Sequence, residues 1–148
     1  MQSILVGLLL FQIAGGLTLL RRRIGIADDT FGSLQTASGA YLAAFIASHL
    51  TAVFILGRQA LHVDTNWDFA VGAPAGLMGD PWNVRLLPHY SLAVFLLSAH
   101  VACGLRGVLL GHRARLSVAN RVGGVLIALG AAVALTITLA MLGLHARA

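Results

Sequence analysis

The run "LPHYSLAVFLLSAHVACGLRGVLLGH", Leu87 to His112, decides the fold. Its only formally charged side chain is Arg106, yet His100 stands in the middle of it. Three further apolar runs flank it: Ile4–Leu20, Leu34–Gly57 and Val122–Leu144, with the quoted run counted as Leu86–Leu110. At 1.5 Å rise per residue each reaches about 25–37 Å, enough to cross a hydrocarbon core of about 30 Å with some tilt. The 148 residues are 58% hydrophobic and 10% charged, with a mean hydropathy of +0.87. A soluble domain carries roughly 25% charged residues. The expected class is therefore all-α, an integral membrane four-helix bundle forming a single transmembrane domain over residues 1–148. Its helices are expected at about 3–20, 34–58, 86–111 and 121–144, with a long outer loop at 59–85.

The first run is the shortest. It reads as a retained helix, because Arg21–Arg23 follow it instead of preceding it and no Ala-x-Ala-like cleavage site appears. A net charge of +5 invites a nucleic-acid reading, but the arginines are distributed as topology signals. Arg21, Arg22, Arg23, Arg106, Arg113, Arg115 and Arg121 fall at or near the two short connections; Arg58, Arg85 and Arg147 fall on the other side. That asymmetry puts the short connections in the cytoplasm and both termini outside, as in a multi-pass protein of a bacterial inner membrane. Lipid is then the expected surrounding, and no nucleic acid is expected. Cys103 is the single cysteine, which excludes an intrachain disulfide. Met1, Met78 and Met141 lie at the terminus, in a loop and near a span end, which argues against a methionine ligand.

Two connections are short. The first, "RRRIGIADDTFGS", offers Asp28, Asp29 and Thr30 as helix caps; the last, "HRARLSVANR", makes its two helices antiparallel neighbours. The middle one, Arg58–Pro88, is about 30 residues long. It carries Trp67, Trp82, three of the five acids, and turn formers from Gly72 to Pro81. Loops of this length are functional or carry short structure of their own. One reading is a lid at headgroup level anchored by its tryptophans; the other is a roof over a cofactor or quinone pocket.

Of the six histidines, His62, His89, His112 and His145 lie at span ends or in loops, while His49 and His100 lie within spans. An ionisable residue at membrane depth is costly and points to function. Its structural alternative is a helix–helix hydrogen bond worth about one kcal/mol or less. Counted from Arg58, His49 lies about 13 Å below the outer boundary; counted from Pro88, His100 lies about 18 Å below it. Levels differing by roughly 5 Å suit a b-type haem between axial histidines. Apolar or small residues surround both positions, and Gly104 leaves room beside His100 for a flat macrocycle. Ser38 and Ser98 are candidate hydrogen-bond partners for a ligand or a quinone, or bond their own helices. Small residues on all four helices (Gly7, Gly15, Gly16, Gly39, Gly107, Gly111, Gly123, Gly124 and Gly130 among them) allow backbones to approach closely.

With Pro88, Tyr90, His100 and Gly104-Leu105-Arg106, the opening run resembles the second haem-ligating helix of a known family. It is that of the cytochrome b membrane-anchor subunits of succinate dehydrogenases and fumarate reductases, in the C-terminal half of the fused dihaem type. "SGAYLAAFIASHLTAVFILG", Ser38–Gly57, resembles the preceding ligand helix, and "GGVLIALGAAVAL", Gly123–Leu135, the final ligand-free one. The resemblance covers about residues 35–140. It implies haem b held by His49 and His100, a quinone as substrate, and electron transfer as a subunit of an oxidoreductase whose dehydrogenase chemistry belongs to another chain. Arg106 is then a candidate for a haem propionate or quinone oxygen, or a topogenic arginine. His89, Tyr90 and Arg85 are candidates for quinone protonation, or interface anchors.

The chain departs from the fused family in one respect. Its single preceding helix, Met1–Leu20, has no histidine, and Gln12 is its only sizeable polar side chain at depth. Three arrangements follow: one haem clamped by His49 and His100 of one chain, a homodimer in which each histidine faces its own copy, or ligands from a different subunit. Two further functions remain open, a haem- or quinone-sensing module and a haem-free structural subunit of a larger complex.

Overall fold

The computed structural model describes residues 2–23 and 29–144. His145, Arg147, Met1 and Asp28, together with the side chains of Arg23 and Trp82, lie outside the described residues. In chain order the elements are α1 (Gln2–Arg23), α2 (Thr30–Leu50), α3 (Trp67–Ala70), α4 (Pro81–Val84), α5 (Leu87–Gly111) and α6 (Leu116–Met141). No strand occurs among the described residues. Three helices are long and apolar enough to cross a membrane: α2 with its continuation to Ala60, α5, and α6.

The spans run further than their apolar cores. Helix α2 starts at Thr30, four residues before the expected Leu34, because the Asp29 carboxylate accepts the Gly32 N–H at 2.8 Å. Helix α6 starts at Leu116 instead of residue 121, its early Ser117, Asn120 and Arg121 all on exposed positions. Helix α1 includes Arg21–Arg23. Polar residues at a span end leave the hydrocarbon without leaving the helix. Beyond Leu50, α2 continues as a wider, π-helical winding over Thr51–Ala60, closed by the Leu61 N–H on the Leu56 carbonyl at 2.9 Å. Such windings are rare, and nothing in the apolar pattern foretold this one.

The core is made of small residues. Helices α5 and α6 are joined by residues 112–115, where Arg113 adopts a φ of 63°. The buried residues are Ala93, Ala99, Ala102 and Cys103 on α5 and Ala119, Gly123, Gly130, Ala134 and Met141 on α6, and the two helices meet where Gly123 faces Ala102 and Arg106. A Cβ built on Gly130 would fall into the Ser98 side chain. The Ser91 and Thr138 hydroxyls add a hydrogen bond of 2.6 Å between the two helices. Leu97, Val101, Val108, Val125, Leu129 and Val133 point outward. Small inside and large outside is the pattern of helices packing in lipid, where close backbone approach supplies the attraction.

Helix α2 packs on another side of α5, and α1 packs chiefly on α2. Ile4, Leu8, Phe11 and Leu19 of α1 stay exposed, and a Cβ on Gly7, Gly15 or Gly16 would meet nothing within 4 Å. Those glycines, like Gly107, Gly111 and Gly124, do not serve the helix contacts expected of them within this chain. The long connection between α2 and α5 has an interior of its own: Leu77 is 2% exposed, and the Asn83 carboxamide donates to the Phe69 carbonyl at 2.7 Å and to Asp80 at 3.0 Å. Trp67, Phe69 and Met78 lie on its surface.

Candidate functional site

Gln35, Ser38 and Gly39 share one face of α2, since residues three and four apart stack on a helix. Midway along α5, His100 lies against that face. Its Nδ1 is 3.0 Å from the Gln35 carbonyl oxygen and 3.2 Å from the Ser38 hydroxyl. The Ser38 hydroxyl is also 3.1 Å from the Gln35 carbonyl, to which it donates. A carbonyl only accepts, so a bare Nδ1 would set lone pair against lone pair at 3.0 Å. The proton therefore belongs on Nδ1, donated to Gln35. In the neutral ring Nε2 then carries the lone pair, and no described residue hydrogen-bonds to it. The ring fits because position 39 is glycine: a Cβ there would lie 2.9 Å from His100 Cε1.

A second group sits nearer the end that carries the long connection between α2 and α5. The His49 ring stacks on Phe45 (centroids 5.6 Å apart, planes within 13°) and meets Tyr90 edge-on at 6.0 Å. Tyr41 stacks on Phe45 in turn, and its hydroxyl lies 3.3 Å from His89 Nδ1. Among the described residues His49 has ring contacts and no hydrogen bond.

The two intramembrane histidines do not share a level. His100 touches Gly39, ten residues before His49 on α2, which is about 15 Å along the axis. His49 touches Tyr90, in the first turn of α5 and ten residues before His100, giving the same separation. Two imidazoles on one iron need their nitrogens only about 4 Å apart, given bonds of about 2 Å. The arrangement with one haem clamped by both histidines of one chain is therefore corrected. The expected 5 Å difference in level took Arg58 and Pro88 as equally high. With its continuation to Ala60, α2 instead runs about eight residues past the level where α5 begins.

Two other expectations are revised. The space at Gly104 faces the Gln35 carboxamide, with Nε2 3.4 Å from the Cβ position, and it is Gly39 that makes room for the imidazole. Arg106 is a joint between helices. It meets Asp29 Oδ2 at 2.8 Å, donates from Nε to Asn120 Oδ1 at 2.8 Å, and stacks 4.2 Å above the Phe31 ring. With its side chain only 11% exposed, its charge is answered within the chain. Ser98 bonds its own helix at Val94. Arg85 lies exposed just ahead of α5.

Sequence reasoning missed Gln35, Tyr41 and Asn120. Gln35 was findable as a polar side chain three residues before Ser38 inside a span. Two open apolar grooves run along α5 and α6, one beside Ser98 and Gly130 and one beside Ser91 and Thr138; neither borders His49 or His100. Among the described residues no three His, Cys, Asp or Glu side chains converge to cage a metal ion. No family model, curated protein or solved structure matches the chain.

Proposed function

We propose that the chain is a b-type cytochrome-like membrane subunit that carries electrons between a membrane quinone and a partner subunit of an oxidoreductase. One observation carries this reading: His100, at mid-span, has Nδ1–H tied to a backbone carbonyl and an Nε2 lone pair with no described protein partner. That is the state in which histidine ligates a metal. The donor set fits haem b as one axial imidazole, and the resemblance of residues 35–140 to cytochrome b anchors points the same way. When bound, haem supplies a one-electron centre at membrane depth.

This chain's residues do the holding. His100 donates from Nε2, Gln35 and Ser38 fix the ring, and Gly39 leaves it room. Haem held by His100 would take its other protein ligand from another chain, because His49 is about 15 Å away along the helix. A homodimer would supply it most simply, with His100 and its copy holding one haem and His49 and its copy another. In this reading α1 is the fourth span of a bundle in a bacterial inner membrane, and both termini lie outside, as the arginine distribution directs. The outer group of His49, Tyr90, His89 and Tyr41 faces the quinone side.

The competing reading is a haem-free structural subunit. Its support is the same Nδ1–Gln35 bond, which already joins α2 to α5. Purified protein separates the two. A reducible Soret band with sharp α and β bands supports the cytochrome, and a colourless protein from cells with ample porphyrin leaves the structural role.

A further inference from the structure

We propose that Ser38 is a positioning residue for His100. With the Gln35 carbonyl it holds the imidazole as the Nδ1–H tautomer and sets how strongly Nε2 donates to a metal. The redox half of this inference rests on the haem reading above; the tautomer half does not.

A serine inside a membrane helix usually bonds its own backbone and nothing else. Ser38 does bond Gln35, at 3.1 Å, but it is fully buried and its oxygen also lies 3.2 Å from an imidazole of another helix. Its proton is committed to the carbonyl. Its lone pairs are therefore the part turned to Nδ1–H, which lies within reach of two acceptors, Ser38 Oγ at 3.2 Å and the Gln35 oxygen at 3.0 Å. Acceptors on the far nitrogen push electron density toward the ligating one and raise ligand basicity. A more basic imidazole favours ferric over ferrous iron. Ser38 thus lowers the reduction potential of any haem on His100, while Gly39 lets the ring come close enough for both bonds.

Two measurements on the full chain test this. In haem-free protein with 15N-labelled histidine, NMR is expected to find His100 protonated on Nδ1 and bare on Nε2, the signal assigned by its loss in His100→Ala. A proton on Nε2 overturns the proposal. In haem-loaded protein, Ser38→Ala is expected to raise the midpoint potential, with the ferric-to-ferrous binding ratio falling about tenfold, or ~59 mV for one electron. Ser38→Thr is expected to keep the wild-type value. An unchanged or lowered potential in Ser38→Ala, with haem retained, overturns the redox half. A wild-type chain that takes up no haem sinks the function proposed above, and the NMR measurement still decides the tautomer.

Discussion

A methyl group at position 39 would fall 2.9 Å from the His100 ring, so Gly39→Ala is the smallest change that disturbs the site. Overpacking of this kind costs about 1–3 kcal/mol. The variant is expected to unfold earlier in a denaturant titration in detergent and to shift the His100 ring resonances. Arg106 makes a second residue-scale test. A double-mutant cycle between Asp29→Asn and Arg106→Gln is expected to yield a coupling of about 0.5–1 kcal/mol, discounted because Asp29 is half exposed, and to shrink at high salt. A coupling of zero would mean that Asn120 and Phe31 hold Arg106 alone. His100 was legible in the sequence because an imidazole among apolar residues is conspicuous. Its chief partner was not, since every residue carries a backbone carbonyl and no letter marks Gln35 as the one in place.

At the scale of elements, α5 and α6 depend on Gly130, whose missing side chain lets Ser98 approach. Gly130→Ala is expected to destabilise the chain by about 1–3 kcal/mol. Ser98→Gly in the same chain is expected to restore part of that loss, because the collision involves Ser98 Cβ as well as its hydroxyl. Failure of the second change to rescue the first would mean that the helices meet differently. Three spans could be read from hydropathy alone, since twenty apolar residues leave few alternatives to a membrane helix. Their ends could not, because polar residues beyond the hydrocarbon still wind into α2 and α6. The π-helical end of α2 was invisible for another reason. The winding is a property of backbone hydrogen bonds, which no side-chain pattern in Thr51–Ala60 marks.

For the whole molecule, the separation of His49 from His100 governs what the chain can hold. Heights counted from Arg58 and Pro88 ignored the different lengths by which α2 and α5 extend, and only their packing against each other sets a common scale. His49→Ala is accordingly expected to leave the His100 centre in place, seen as retention of part of the haem spectrum. His100→Ala is expected to remove the deeper one. Complete loss of haem on either change would restore a shared iron. The central claim is that His100 Nε2, to which no described residue hydrogen-bonds, is an iron ligand. The optical and EPR spectrum of the purified full-length chain, beside that of His100→Ala, tests it most directly. The account predicts a reducible low-spin haem signal in the wild type whose deeper component is missing from the variant while the rest remains; a colourless wild type, or an identical haem signal in both, would contradict it.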